Sequence, residues 1–97
     1  MSDKTVFEIV TYEVSDPVEA ERGRGQARQA LAHYPGFVSW TIYAQPKGGH
    51  VFVDQVEWDT LAHALAAQER FMTDDGVALF RGQITRVLAM THVVQGD

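Results

Sequence analysis

The chain contains no cysteine. This excludes a disulfide scaffold, thiol catalysis, thiolate zinc and cysteine-held iron–sulfur clusters. No apolar run approaches the roughly 20 residues that a membrane span needs. No basic segment followed by an apolar stretch opens the chain, so no signal peptide is expected and a cytoplasmic location is the expectation. Basic residues are scarce, 8 against 13 acidic ones, for a net charge of −5. Residues 1–48 carry five basic and six acidic groups, and residues 49–97 carry three and seven, so neither half is basic. Nucleic-acid binding requires neutralised phosphates, and this composition argues against it.

Other motifs are missing too. Neither GxGxxG nor a P-loop occurs, and Gly23-Arg24-Gly25 lies inside a helical segment, where it reads as a local loosening. The four histidines, His33, His50, His63 and His92, form no i, i+4 pair and no HExxH, so no metal centre is expected. None of the three serines sits on a strand-to-helix elbow. Asp74-Asp75 falls in a predicted turn and reads as a solvated loop.

What is present is an ordinary globular chain of 97 residues, 45% hydrophobic and 22% charged, which allows one domain spanning 1–97. Ten of twelve valines fall in 1–14, 37–58 and 84–94, and nine of eleven alanines in 18–33 and 60–80. β-Branched residues favour strands and alanine favours helix, so the order is βαββαβ. Strand one is Val6 to Val14, largely apolar on both faces. Asp16-Pro17 opens a helix to about His33, weakened by Gly23 and Gly25. Tyr34-Pro35-Gly36 stops it. Strands Phe37–Gln45 and His50–Trp58 are joined by Pro46-Lys47-Gly48-Gly49, a hairpin signal. Asp59 or Thr60 caps a second helix with Leu61, Ala64, Leu65, Phe71 and Met72 as its buried stripe. Thr73 to Gly76 breaks it, with one further turn from Val77 to Phe80. The last strand, Ile84 to Val94, is long for a domain of this size. The order predicts an α+β fold, the ferredoxin-like unit with an antiparallel four-stranded sheet and two helices on one face. A second copy of the chain is the simplest cover for the other face.

On strand three, Asp54 and Trp58 share a face, about 13 Å apart at strand rise. An aspartate among Phe52, Val53 and Val56 is desolvated, which raises its pKa and suits proton transfer. Alternatively Asp54 reaches the sheet edge or pairs with Arg70, Arg81 or Arg86. Trp58 either packs on helix two or lines a pocket. A cleft between sheet and helices is aromatic-walled and suits a flat apolar ligand. The small Ala62, Ala64, Ala66 and Ala67 either leave room for one or permit close helix packing.

Tyr34-Pro35-Gly36-Phe37 closing the first helix, Val53-Asp54-Gln55-Val56-Glu57-Trp58-Asp59 running into an alanine-rich helix, and Phe80 beyond it resemble the antibiotic biosynthesis monooxygenase-like family of dimeric α+β barrels. The resemblance covers nearly the whole chain. It implies a homodimer joined through the sheet faces and a ligand cleft in each subunit. It also implies oxidation of aromatic phenols or quinols by O₂ without metal or flavin. The polyketide oxygenases of the family carry an asparagine four residues before the strand-end tryptophan; here Asp54 stands there, and Trp58 matches. Their later tyrosine is Ala64 here and their arginine Ala78, with Arg81 close by. The haem-degrading branch needs a tryptophan inside helix two, and this chain has only Trp40 and Trp58. The expected site is thus Asp54 and Trp58 as catalytic residues, with Phe52, Tyr12, His63, Phe71, Phe80 and Arg81 binding substrate, and no cofactor. The expected activity is a cofactor-independent oxygenase on a small aromatic. The alternatives are a non-catalytic binding or accessory homodimer of the same fold, and a purely structural interaction module.

Overall fold

In a computed structural model, residues 4–96 are described. Four strands, β1 (Val6–Val14), β2 (Phe37–Ala44), β3 (Val51–Trp58) and β4 (Ile84–Val93), form one sheet in the order β2-β3-β1-β4, with every neighbouring pair antiparallel. The helices are α1 (Pro17–Leu31), α2 (Leu61–Phe71) and the short α3 (Ala78–Gln83), which a 3₁₀ turn at Asp75–Val77 leads into. This is the ferredoxin-like βαββαβ arrangement, with the expected single turn after α2 extended into a third helix. Among the described residues no helix is long and apolar enough to cross a membrane.

The local signals act as their chemistry dictates. The Asp16 carboxylate accepts from the backbone N–H of Val18 and Glu19 at the start of α1, with Pro17 in its first turn. Thr60, not Asp59, caps α2, its Oγ1 accepting from the His63 N–H. Gly36 has φ +81, and a side chain there would collide with Asp59 and His63, so the turn after α1 requires glycine.

The helices lie on the sheet face formed by Val6, Tyr12, Val14, Trp40, Val56 and Trp58, all buried. The α1 stripe of Ala20, Ala27 and Leu31 packs there beside Val77 and Phe80. Gly23 is not a loosening. A Cβ on it would lie 2.8 Å from both Cα and N of Phe80, so it marks the close approach of α1 to α3, and α1 runs through it unbroken.

Helix α2 departs from expectation. Only Ala64 and Ala67 are buried, whereas Leu61, Leu65 and Met72 are 48%, 49% and 64% exposed. The helix turns Ala64 and Ala67 to the sheet and Leu61 and Leu65 outward. On the sheet's other face Phe7, Ile9 and Thr11 are only half-buried and Val93 of the edge strand β4 is exposed, whereas the exposed Val87 and Met90, opposite Tyr12 and Val10, lie on the helix side.

Candidate functional site

Between the sheet and α2 lies a cavity of about 210 Å³. At its α2 wall stands the small Ala67, where a larger side chain would fill the space. Val10, Tyr12, Trp40, Val56 and Trp58 form its floor, with Phe71 at the end of α2, Met72 just beyond it and Phe80 from α3 opposite. The rings brace one another: Trp58 meets Phe37 edge-on at 5.7 Å between centroids, and Phe80 meets Tyr12 edge-on at 5.7 Å.

Two carboxyl groups enter these apolar walls, Asp54 from β3 and Glu8 from β1. Asp54 is 5% exposed. The Tyr12 hydroxyl donates to its Oδ1 at 2.8 Å, and Arg24 Nε donates to the Tyr12 oxygen at 3.1 Å. Burial pushes the Asp54 carboxyl up to about 6, held back by the Tyr12 hydrogen bond and the Arg24 charge. Burial together with the Asp54 charge pushes the Tyr12 phenol well above its ordinary value, so it remains a donor. Glu8 is shifted further. Burial raises it to about 7, opposed by the neighbouring Trp58 indole N–H and assisted by the Asp54 charge. The indole nitrogens of Trp40 and Trp58 are buried and, among the described residues, have no hydrogen-bond partner.

Of the expected site residues, Asp54, Trp58, Tyr12, Phe71 and Phe80 are brought together on the cavity. Phe52 is not on it. It stacks on Tyr12 at 6.1 Å and lies under the Arg24 guanidinium at 4.3 Å, so it supports the relay from behind. His63 lies outside the lining at the start of α2, half exposed, with its Nδ1 2.7 Å from Asp59. Arg81 also lies outside. It donates to the carbonyls of Phe71 and Asp74, strapping the end of α2 to α3. The arginine that reaches toward Asp54 is none of Arg70, Arg81 and Arg86 but Arg24, acting through Tyr12.

Sequence reasoning misses Glu8, Arg24 and Trp40, although each leaves a trace. Glu8 is the one charge on the strand face of Val6, Val10, Tyr12 and Val14. Arg24 continues the buried row Ala20, Ala27 and Leu31 at helical spacing. Trp40 sits on β2 opposite Val56, two residues from the pairing partner of Asp54. Tyr34 also lines the cavity, but its hydroxyl is engaged, donating to Asp74 Oδ2 at 2.7 Å. No group of three metal-ligating side chains occurs among the described residues.

No family model matches the chain, and no curated relative matches it. Solved structures do. A candidate antibiotic biosynthesis monooxygenase from Bordetella bronchiseptica aligns over 98% of this chain and 100% of its own, with a TM-score of 0.82 at 14% identity. A candidate antibiotic biosynthesis monooxygenase from Chloroflexus aurantiacus aligns over 96% and 94%, with a TM-score of 0.72 at 16% identity. SnoaB from Streptomyces nogalater, described as a cofactor-independent oxygenase, aligns over 98% and 94%, with a TM-score of 0.69 at 18% identity. At these identities the likeness is one of fold.

Proposed function

We propose that the chain binds a small phenol or quinol in this cavity and oxidises it with O₂ without metal or flavin, working as a homodimer joined through the open sheet face. The observation that carries this reading is a pair of carboxyl groups lifted toward neutral pH in an aromatic-walled cavity. A general base is most effective when its pKa lies near the working pH. Fold likeness to a protein described as a cofactor-independent oxygenase supports the same chemistry, although a fold alone does not assign a function.

The protein's task in such a reaction is small. A phenol with an activated CH₂ group is itself the reductant once a proton is removed. Asp54 takes that proton, Trp58 walls the ring, and the apolar lining keeps water away from the anion. The anion passes one electron to O₂. The resulting radical and superoxide join through a new C–O bond and take up a proton as a hydroperoxide. Loss of water then gives the ketone, so that R₂CH₂ + O₂ becomes R₂C=O + H₂O. Cavities of about 150 Å³ hold benzene. A volume of about 210 Å³ therefore suits one or two rings.

Non-catalytic binding is the competing reading, favoured by Asp54 and Ala64 standing where the resemblance expects an asparagine and a tyrosine. Oxygen uptake by chelator-treated protein over a panel of one- and two-ring quinols and phenols with an activated CH₂ group separates the two. Uptake that falls about a hundredfold or more in Asp54→Ala, the scale of a lost general base, and also falls in Trp58→Ala, supports the oxygenase. Saturable quenching of tryptophan fluorescence without uptake supports the binding protein.

A further inference from the structure

The two carboxyl groups of the cavity share one sheet face but not one environment. Val10 lies opposite Asp54 and Glu8 opposite Val56, so Glu8 and Asp54 are diagonal neighbours across β1 and β3. Diagonal positions are about 7–8 Å apart. Both side chains line the cavity. Asp54 accepts from the Tyr12 hydroxyl, and the Arg24 guanidinium stands behind that hydroxyl. The influences on Glu8 are burial, the Trp58 indole and the Asp54 charge, and β4 sets His92 opposite it. Helix α2 brings Ala67, Gln68 and Phe71 to the lining, none of which titrates. When the pair carries one proton, Glu8 therefore holds it and Asp54 is the anion. Burial lifts the acids in the same order, Glu8 to about 7 and Asp54 to about 6.

The other lining residues leave the acid's part to Glu8. None of them is cationic. The hydroxyls of Tyr12 and Tyr34 already donate, to Asp54 and to Asp74. The Gln68 amide can donate a hydrogen bond but cannot give up a proton. Negative charge that develops on a bound carbonyl oxygen is therefore met by the Glu8 proton. A neutral carboxyl group in an apolar site is suited to that task, because it donates where charge appears and needs no solvent to rearrange.

We propose that Glu8 and Asp54 form an acid–base pair that interconverts the keto and enol forms of a small ring ketone. Asp54 removes a proton from the carbon beside the carbonyl, and the electron pair of that C–H bond becomes the new C=C bond. The carbonyl π pair moves to oxygen and takes the proton of Glu8. Return of the proton from Asp54 to carbon, and from the enol oxygen to Glu8, restores both acids. No oxidant or reductant is consumed. Two hydrogen-bond reaches of about 3 Å each leave room between the acids for a carbonyl oxygen and the carbon beside its own. This activity rests on the proposed reading of the cavity as a small-ring site with Asp54 as base, but not on the oxygen chemistry.

Hydrogen–deuterium exchange of 2-tetralone in D₂O, followed by proton NMR under argon with chelator-treated protein, tests it. The native protein is expected to speed loss of the signal from the CH₂ between carbonyl and aromatic ring, saturably in ketone. The rate is expected to be bell-shaped in pH, with its maximum between about pH 6 and about pH 7, because it needs Asp54 ionised and Glu8 protonated. Glu8→Gln keeps the size of the side chain and its capacity to donate, but has no proton to transfer. It is expected to lower the rate about a hundredfold or more and to abolish the alkaline limb of the profile. Asp54→Asn is expected to lower the rate on the same scale and to abolish the acid limb. No acceleration by the native protein would overturn the proposal, as would a full rate in Glu8→Gln or an alkaline limb that survives that substitution. Admitting O₂ with a quinol separates the two claims. Exchange without oxygen uptake removes the oxidation and leaves the acid–base pair standing, whereas uptake without exchange overturns the pair alone.

Discussion

The Tyr12 hydroxyl donates to Asp54 Oδ1 at 2.8 Å while accepting from Arg24 Nε at 3.1 Å. A buried anion and a buried cation are thereby joined through a neutral group, with the guanidinium resting on Phe52 and Phe80. Removing the middle member leaves both ends short of a partner. Tyr12→Phe is expected to cost about 1–3 kcal/mol, the penalty for stranding buried polar groups. It is also expected to move the Asp54 carboxyl further up, because the Tyr12 hydrogen bond is among the influences holding it down. Urea unfolding checks the first, and ¹³C titration of labelled aspartate carboxyls the second. An unchanged unfolding midpoint together with an unmoved titration would show that the relay contributes neither stability nor charge compensation.

The same burial makes stability depend on pH in an unusual direction. Glu8 and Asp54 have ordinary values of 4.5 and 3.8 and stand in the fold at about 7 and about 6. Between those limits the native state binds more protons than the unfolded chain, so stability falls as pH rises. Asp59 and Asp74 are lowered and act oppositely, but below the usual carboxylate range. From about pH 5 to about pH 8 the loss is expected to be about 4 kcal/mol, at about 1.4 kcal/mol for each tenfold change in proton affinity. Glu8→Gln should remove the larger part of it. A urea midpoint that climbs from pH 5 to pH 8 would contradict the assignment of both acids to a buried site.

The fold was legible because valine and alanine are segregated along the chain and both long helices, α1 and α2, open on a capping side chain. The strand and helix starts at Val6, Pro17, Phe37, Leu61 and Ile84 follow from those local signals. The site was legible in part. Asp54 and Trp58 stand out on a short strand with period-two alternation. Arg24 does not, because its role depends on where α1 crosses β1, and a helix stripe of three small or apolar residues and one arginine reads locally as an exposed edge. The α2 stripe misleads for the converse reason. Leu61, Leu65 and Met72 have helical spacing, but which side of an amphipathic helix faces the sheet is decided by packing, and here Ala64 and Ala67 face it.

Two glycines two residues apart on α1 should behave oppositely. In isolation each glycine-to-alanine change favours a helix by about 1 kcal/mol. Gly25 has no atom within 4 Å of a built Cβ, so Gly25→Ala should realise most of that gain. A Cβ at Gly23 meets backbone atoms of Phe80 at 2.8 Å, and backbone cannot move aside as a flexible side chain can. Gly23→Ala should therefore destabilise, by about 1–3 kcal/mol, the cost of overpacking a tight contact. Because Phe80 also walls the cavity, ligand affinity should fall in this variant and stay level in Gly25→Ala. Thermal melts of the two proteins side by side decide the matter, and a stabilised Gly23→Ala would mean that α1 and α3 do not meet as described.

The open sheet face leads to the last expectation. Phe7 pairs with Val93 across β1 and β4 on the side away from the helices, Ile9 and Thr11 continue that row, and Val93 is 42% exposed. An apolar row of this kind, carried in part on an edge strand ten residues long, is an association surface unless something covers it. If a second copy covers it, unfolding releases two chains, and the melting temperature must fall on dilution. Val93→Lys places a charge on that face while leaving the cavity on the opposite face untouched. It should give a monomer by analytical ultracentrifugation, with a lower melting point that no longer varies with concentration. Ligand affinity per chain should persist, because Val93 pairs with Phe7 on the face away from the cavity and is not among its lining residues. A native protein that is monomeric at all concentrations, with a constant melting point, would exclude the homodimer and leave the face open to a different partner.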